Sequence, residues 1–175
     1  MKNMMIGLIL TLLTSAAFAA PAANVQPVAW FAGHWQCSGI AYANPMAPEH
    51  PTRATVNAQW TMDGHWLRFD YAEIKTPRNP MPFAVTGFFG YDPELKQFVI
   101  GSVDNMGGYS TSGSSGWDGD SIVFTGPWHM GTMTATGRDT FTKMGANKMT
   151  HTAEIQQNGN WMKAGQETCT RGASK

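Results

Sequence analysis

The chain has 175 residues, with 12 basic and 12 acidic side chains, five histidines and two cysteines. Charged residues are only 14% of it, while 19 glycines and seven tryptophans favour a turn-rich β protein with an aromatic interior. Nothing in this balance supplies the basic footprint of a nucleic-acid binder.

The first residues read as an export signal. Lys2 is a short positive region, Ile6 to Leu13 is apolar, and Ala17-Phe18-Ala19 has the small-x-small form of a cleavage site. Residues 1–19 are therefore expected to be removed, leaving a single domain over 20–175, periplasmic or secreted, with 11 basic against 12 acidic residues. The apolar stretch is too short to span a bilayer and no later segment is longer, so no membrane span is predicted. The oxidising compartment allows the two cysteines to pair.

Helical periodicity is almost absent, and the one helix predicted is a short turn over Pro27–Ala32 leading into Gly33. About ten strands follow, near 33–41, 53–62, 65–75, 83–91, 97–104, 108–117, 120–127, 131–143, 148–157 and 160–171. Asp63-Gly64, Asp118-Gly119 and Asn158-Gly159 are tight-turn signals, because both turn positions favour positive φ. The proline-bearing stretches 44–52 and 76–82 read as longer connections, not central strands.

Two hairpins can be tested for a consistent inside. Around Asp63-Gly64, Trp60 faces Leu67, Ala58 faces Phe69 and Val56 faces Tyr71, while Asn57 meets Asp70 and Gln59 meets Arg68 on the other side. One face is apolar and the other polar, as a half-buried antiparallel sheet requires. Around Asn158-Gly159, Ile155 faces Met162 and Ala153 faces Ala164, with Glu154 and Lys163 outside.

Trp35 precedes Cys37 by two and Arg171 follows Cys169 by two, so both pairs fit one antiparallel register between the first and last strands. The expected fold is all-β: a single up-and-down antiparallel barrel of about ten strands, closed by its first and last strands and stitched there by a Cys37–Cys169 disulfide. Strict alternation from Asn158-Gly159 leaves a conflict, since it turns Cys169 and Arg171 outward. Either the disulfide lies on the outer wall, or a bulge near Gly165 flips the phase.

Gly33-x-Trp35 after a short helical turn, with an arginine on the last strand, resembles the signature of the calycin barrels: lipocalins, fatty-acid-binding proteins and relatives such as nitrobindin. The order Gly-x-Trp, Asp63-Gly64, Gly90-Tyr91-Asp92-Pro93, Trp117-Asp118-Gly119, Gly137-Arg138 and a closing arginine resembles a bacterial domain-of-unknown-function family with a lipocalin-like barrel. The resemblance implies that Gly33, Trp35 and Arg171 form the closed end, with Trp35 against Arg171. It brings no catalytic residues.

Val56, Trp60, Leu67, Phe69 and Tyr71 are either plain core or the wall of a ligand cavity, for which ten strands leave more room than eight. Glu73, Arg138 and His151 are the candidate polar groups, although Arg138 and Asp139 are adjacent and only one can point inward. The resulting expectation is a non-catalytic barrel holding a small hydrophobic molecule. An enzyme acting in the same cavity is the alternative, as is a haem or copper carrier. Nitrobindin-like barrels place a histidine on iron, which makes His151 the haem candidate, though no motif aligns it with that ligand. Methionine and histidine recur together at Met46 and His50, Met62 and His65, His129 with Met130 and Met133, and Met149 and His151, a pairing that suits copper but lacks compact spacing. The serine-rich stretch 110–116 holds no nucleophile elbow, and no cofactor is otherwise called for.

Overall fold

A computed structural model describes residues 20–44 and 47–172; the expected export signal, residues 1–19, lies outside them. A 3-10 helix over Ala23–Phe31 comes first, four residues earlier than expected and ending one sooner. The strands are β1 (Gly33–Ala41), β2 (His50–Thr61), β3 (Trp66–Glu73), β4 (Ala84–Asp92), β5 (Gln97–Asp104) and β6 (Tyr109–Ser114), followed by β7 (Trp117–Asp118), β8 (Ser121–Met130), β9 (Met133–Lys143), β10 (Lys148–Gln157) and β11 (Asn160–Arg171). Every pairing is antiparallel between chain neighbours, with β1 beside β11 and β6 beside β8. Ten strands thus close a barrel, and β7 is a two-residue extra strand on β8.

The register joining the chain ends is the expected one: Trp35 opposite Arg171 and Cys37 opposite Cys169, with the two cysteines bonded. The β2–β3 hairpin also pairs as expected, from Trp60 opposite Leu67 to Val56 opposite Tyr71. Its outer face is polar, where Arg68 and Asp70 form an ion pair at 2.9 Å and Thr86 donates to the same carboxylate oxygen at 2.8 Å. Burial raises the Asp70 pKa, but these two partners outweigh it and leave the net shift downward.

Three expectations need correction. The hairpin after Gln157 does not hold strict alternation: Ile155 faces Met162, but Ala153 faces Gly165, so Ala164 is an extra, bulged residue. The bulge returns Gly165, Glu167, Cys169 and Arg171 to the inner phase, and both cysteines are buried. The predicted strand 108–117 is broken at Gly116, whose φ of 112° lets Trp117 leave the wall and donate its indole N–H to Pro27 O at 2.9 Å. Finally, 50–52 belongs to β2 despite Pro51. β3 pairs with β2 only from Ala54 onward, so the proline sits where no third strand is paired.

The helix end of the barrel is filled. Phe31 stacks on Phe89 at 4.8 Å between ring centres and lies 5.1 Å from Phe141, with Phe124 beyond. The opposite, open end, where β2 begins and β3 ends, has no helix across it among the described residues.

Candidate functional site

The closed end is built around one cation. Arg171 donates to the carbonyls of Ala32 and Trp30 and lies 4.1 Å over the Trp35 ring, while Trp35 donates its own N–H to Phe31 O at 2.9 Å. These bonds take up carbonyls at the end of the 3-10 helix and dock it on the barrel. Gly33 makes room: its φ is +114°, and a Cβ there would stand 2.9 Å from the Arg171 guanidinium. Burial lowers the Arg171 pKa, leaving it a cation at any ordinary pH.

Several residues expected to line a cavity lie in this packed region. Leu67 is fully buried, and Val56, Trp60, Phe69 and Tyr71 pack against the core cluster. Gly87 leaves space for the Phe69 ring, which a Cβ would meet at 2.4 Å.

Above this floor the inner face turns polar. Glu167 is 7% exposed and accepts hydrogen bonds from Thr52 at 2.8 Å and from the Tyr71 hydroxyl at 3.0 Å. Gly39 faces it across the ladder, and a Cβ there would stand 2.8 Å from the Glu167 side chain. Tyr71 also reaches Glu73 at 3.4 Å, and Glu73 accepts from Asn79 Nδ2 at 2.6 Å and from the Phe83 amide at 2.8 Å. Glu73 therefore anchors the loop between β3 and β4. Burial, then the two nearby carboxylates, push the Tyr71 pKa far up, so its hydroxyl keeps its proton.

His151 lies opposite Glu167 on β10, stacks on Phe141 at 4.5 Å, and shares a 2.8 Å hydrogen bond between Nε2 and Asp139 Oδ1. Burial works to lower its pKa, but the Asp139 hydrogen bond and charge, with Glu167 behind, raise it overall. Arg138 points to the other face, where it bonds Glu154 at 2.6 Å and covers the Trp161 ring at 4.2 Å. The structure thus brings Tyr71, Glu73 and His151 into one polar layer and leaves Arg138 outside it.

On β6 and β8, two buried polar side-chain atoms among the described residues lack a partner: Ser112 Oγ and Trp128 Nε1. Ser112 is 3% exposed and lies in the inner phase of β6, beside buried Ile100 on β5. Gly126 and Gly137 let neighbours pack onto bare backbone: the Trp128 ring lies 2.1 Å from where a Gly137 Cβ would be, and Thr111 O lies 2.2 Å from where a Gly126 Cβ would be. The β6–β8 ladder is sparse just there, with pairs at Ser110–Trp128 and Gly113–Thr125 and none between them, where Pro127 lacks a donor.

Two concavities lie on the outer wall. One of about 320 Å³ is lined by Pro51, Arg53, Thr76, Pro77 and Arg78, and one of about 130 Å³ by Asn57, Gln59, Arg68 and Asp70.

For metals, the one cluster in ligand range among the described residues is Cys37, Glu167 and Cys169, whose sulfurs are bonded to each other and offer no thiolate. The Met–His pairs do not converge. Met62 and His65 sit at the closed end, His129 and Met133 at the open end, and Met46 outside the described residues. His151 has its Nε2 committed to Asp139, which leaves Nδ1 alone for iron.

Glu167, Asp139, Ser112 and Trp128 were absent from the sequence-based site. Glu167 shares a face with Cys169, so the bulge that turned the cysteine inward would also have revealed the carboxylate. Asp139 was one of two neighbours between which alternation had to choose. Ser112 and Trp128 carried no motif.

Residues 20–171 match a family described as "Protein of unknown function (DUF1579)". No curated protein matches the chain. Among solved structures it is similar to Rv2717c from M. tuberculosis, at 11% identity and a TM-score of 0.65, covering 87% of this chain and 99% of that one. That likeness is one of fold.

Proposed function

Because the chain belongs to the DUF1579 family, which carries no assigned activity, function has to come from the geometry, and we propose that the protein is an exported, non-catalytic barrel binding a small, mainly apolar molecule in its upper interior. One observation carries this reading: Ser112 Oγ and Trp128 Nε1 are buried without a hydrogen-bond partner in the inner phase of β6 and β8. Buried polar atoms are nearly always satisfied, and an unpaired one costs ~1–3 kcal/mol, so two together point to a guest that completes them. The Trp128 ring supplies an apolar face, while Tyr71 on β3, His151 on β10 and Glu167 on β11 can accept or donate at the polar end of the guest. The buried disulfide supports export.

Native mass spectrometry of the exported protein should show a bound small molecule or, with candidate ligands added, a defined adduct. Trp128→Phe with Ser112→Ala should weaken binding by ~5–10-fold through lost hydrogen bonds. Unchanged affinity in that folded double variant, or no guest under any condition, would rule the reading out.

His151 and Asp139 favour a second reading, an enzyme in the same interior, because a hydrogen-bonded imidazole–carboxylate pair is the arrangement a general acid or base uses. Turnover lost in His151→Gln with guest binding retained would select it.

A further inference from the structure

The open end of the barrel carries large apolar side chains that the fold does not use. Met81 is 70% exposed, Met106 50% and Ile74 44%, with Met133 and Met162 exposed around the same rim. Single exposed hydrophobics need no explanation, but a cluster on an ordered loop does. The loop over residues 74–83 is held from several sides. The Ile74 amide donates to Arg53 O at 2.6 Å, Thr76 and Asn79 bridge each other, Glu73 holds Asn79 and Phe83, and Asn105 Nδ2 donates to Pro82 O at 2.9 Å. The Asn105 bond joins this loop to the β5–β6 turn, so Ile74, Met81 and Met106 belong to one lobe. None of these bonds requires an exposed methionine at the tip.

Beside the apolar tips lies the 320 Å³ outer groove, bordered by Arg53 and Arg78. Both arginines and Lys75 are exposed, and none makes an ion pair among the described residues. The carboxylate nearest in sequence to Lys75 and Arg78, Glu73, is turned inward and saturated by Tyr71, Asn79 and Phe83, while exposed Glu49, nearest to Arg53, forms no ion pair among the described residues. Unpaired cations bordering apolar tips complement a surface that is anionic outside and apolar beneath, which is the layering of a phospholipid leaflet.

We propose that this lobe docks the open end of the barrel onto an anionic phospholipid membrane. Arg53 and Arg78 take headgroup phosphates at the groove, Lys75 adds charge, and Ile74, Met81 and Met106 enter the boundary between headgroups and acyl chains. The guanidinium forks suit phosphate oxygens, and Pro51 and Pro77 line the same groove. This docking does not depend on whether the interior holds a guest, and the two are measured separately.

Flotation of the exported protein with phosphatidylcholine vesicles, and with the same vesicles containing phosphatidylglycerol, tests it. Binding is expected on the anionic vesicles alone and should fade as salt is raised. Each cation near a charged leaflet contributes about 1 kcal/mol, so Arg53→Gln with Arg78→Gln should lower partition ~30-fold. Ile74→Ser with Met81→Ser should also lower it several-fold, with circular dichroism and the disulfide unchanged because both sites are exposed. Equal binding to neutral and anionic vesicles, no binding to either, or either folded double variant floating like the parent would overturn the proposal. A lobe that serves a protein partner falls under the second outcome.

Discussion

His151 shows how far a single side chain's environment can be pushed by its neighbours. Burial disfavours the imidazolium, yet Asp139 hydrogen-bonded at Nε2 and Glu167 across the ladder reverse that, and the folded pKa stands above 6.5. The folded state then binds this proton more tightly than the unfolded chain. The stability it contributes is complete below the unfolded value and is lost as pH rises through the folded one. His151→Gln should therefore cost most in acid, and the gap to the parent should narrow toward alkaline pH. Urea midpoints across a pH series read this directly. A His151 ring titration by NMR with a midpoint at or below 6.5 would show that Asp139 does not hold the proton there.

At the scale of elements, the decisive feature is one residue too many in β11. Ala164 has no partner on β10, and everything after it changes face. Because Gly165 already faces Ala153, deleting Ala164 removes the unpaired residue without moving any later partner, and Glu167, Cys169 and Arg171 stay on the inner wall. The deletion variant should therefore still form the Cys37–Cys169 bond and show no thiol free to alkylation. Free thiols in that variant would mean that the bulge itself, and not the pairing beyond it, holds Cys169 inside. The same residue explains what could be read beforehand. The β2–β3 hairpin was legible because its alternation runs unbroken from Val56 to Tyr71, and the chain-end register because Trp35, Cys37, Cys169 and Arg171 repeat one spacing. Beyond the bulge, alternation counted from the turn gives the wrong face, and Glu167 disappeared with it. Ser112 and Trp128 were illegible for another reason: their importance lies in partners they lack, and no residue pattern encodes that.

At the scale of the whole molecule, the disulfide joins residues 132 apart and so encloses nearly all of the domain. Its two ends lie on β1 and β11, the pairing with the greatest sequence separation and the one that turns a sheet into a barrel. Ordinary loop closure makes this the costliest contact to form from an unfolded chain, and a crosslink removes that cost by restricting the unfolded ensemble. Cys37→Ala with Cys169→Ala should therefore destabilise the protein by ~4–5 kcal/mol from chain entropy, plus a smaller amount for the vacated sulfur volume. The urea m-value should rise at the same time, because an uncrosslinked chain exposes more surface when it unfolds. A fall in midpoint without a rise in m would locate the effect in native packing instead. Equal stability of the oxidised parent and the double variant would show that Trp35, Arg171 and the helix they dock are enough to hold the two ends together.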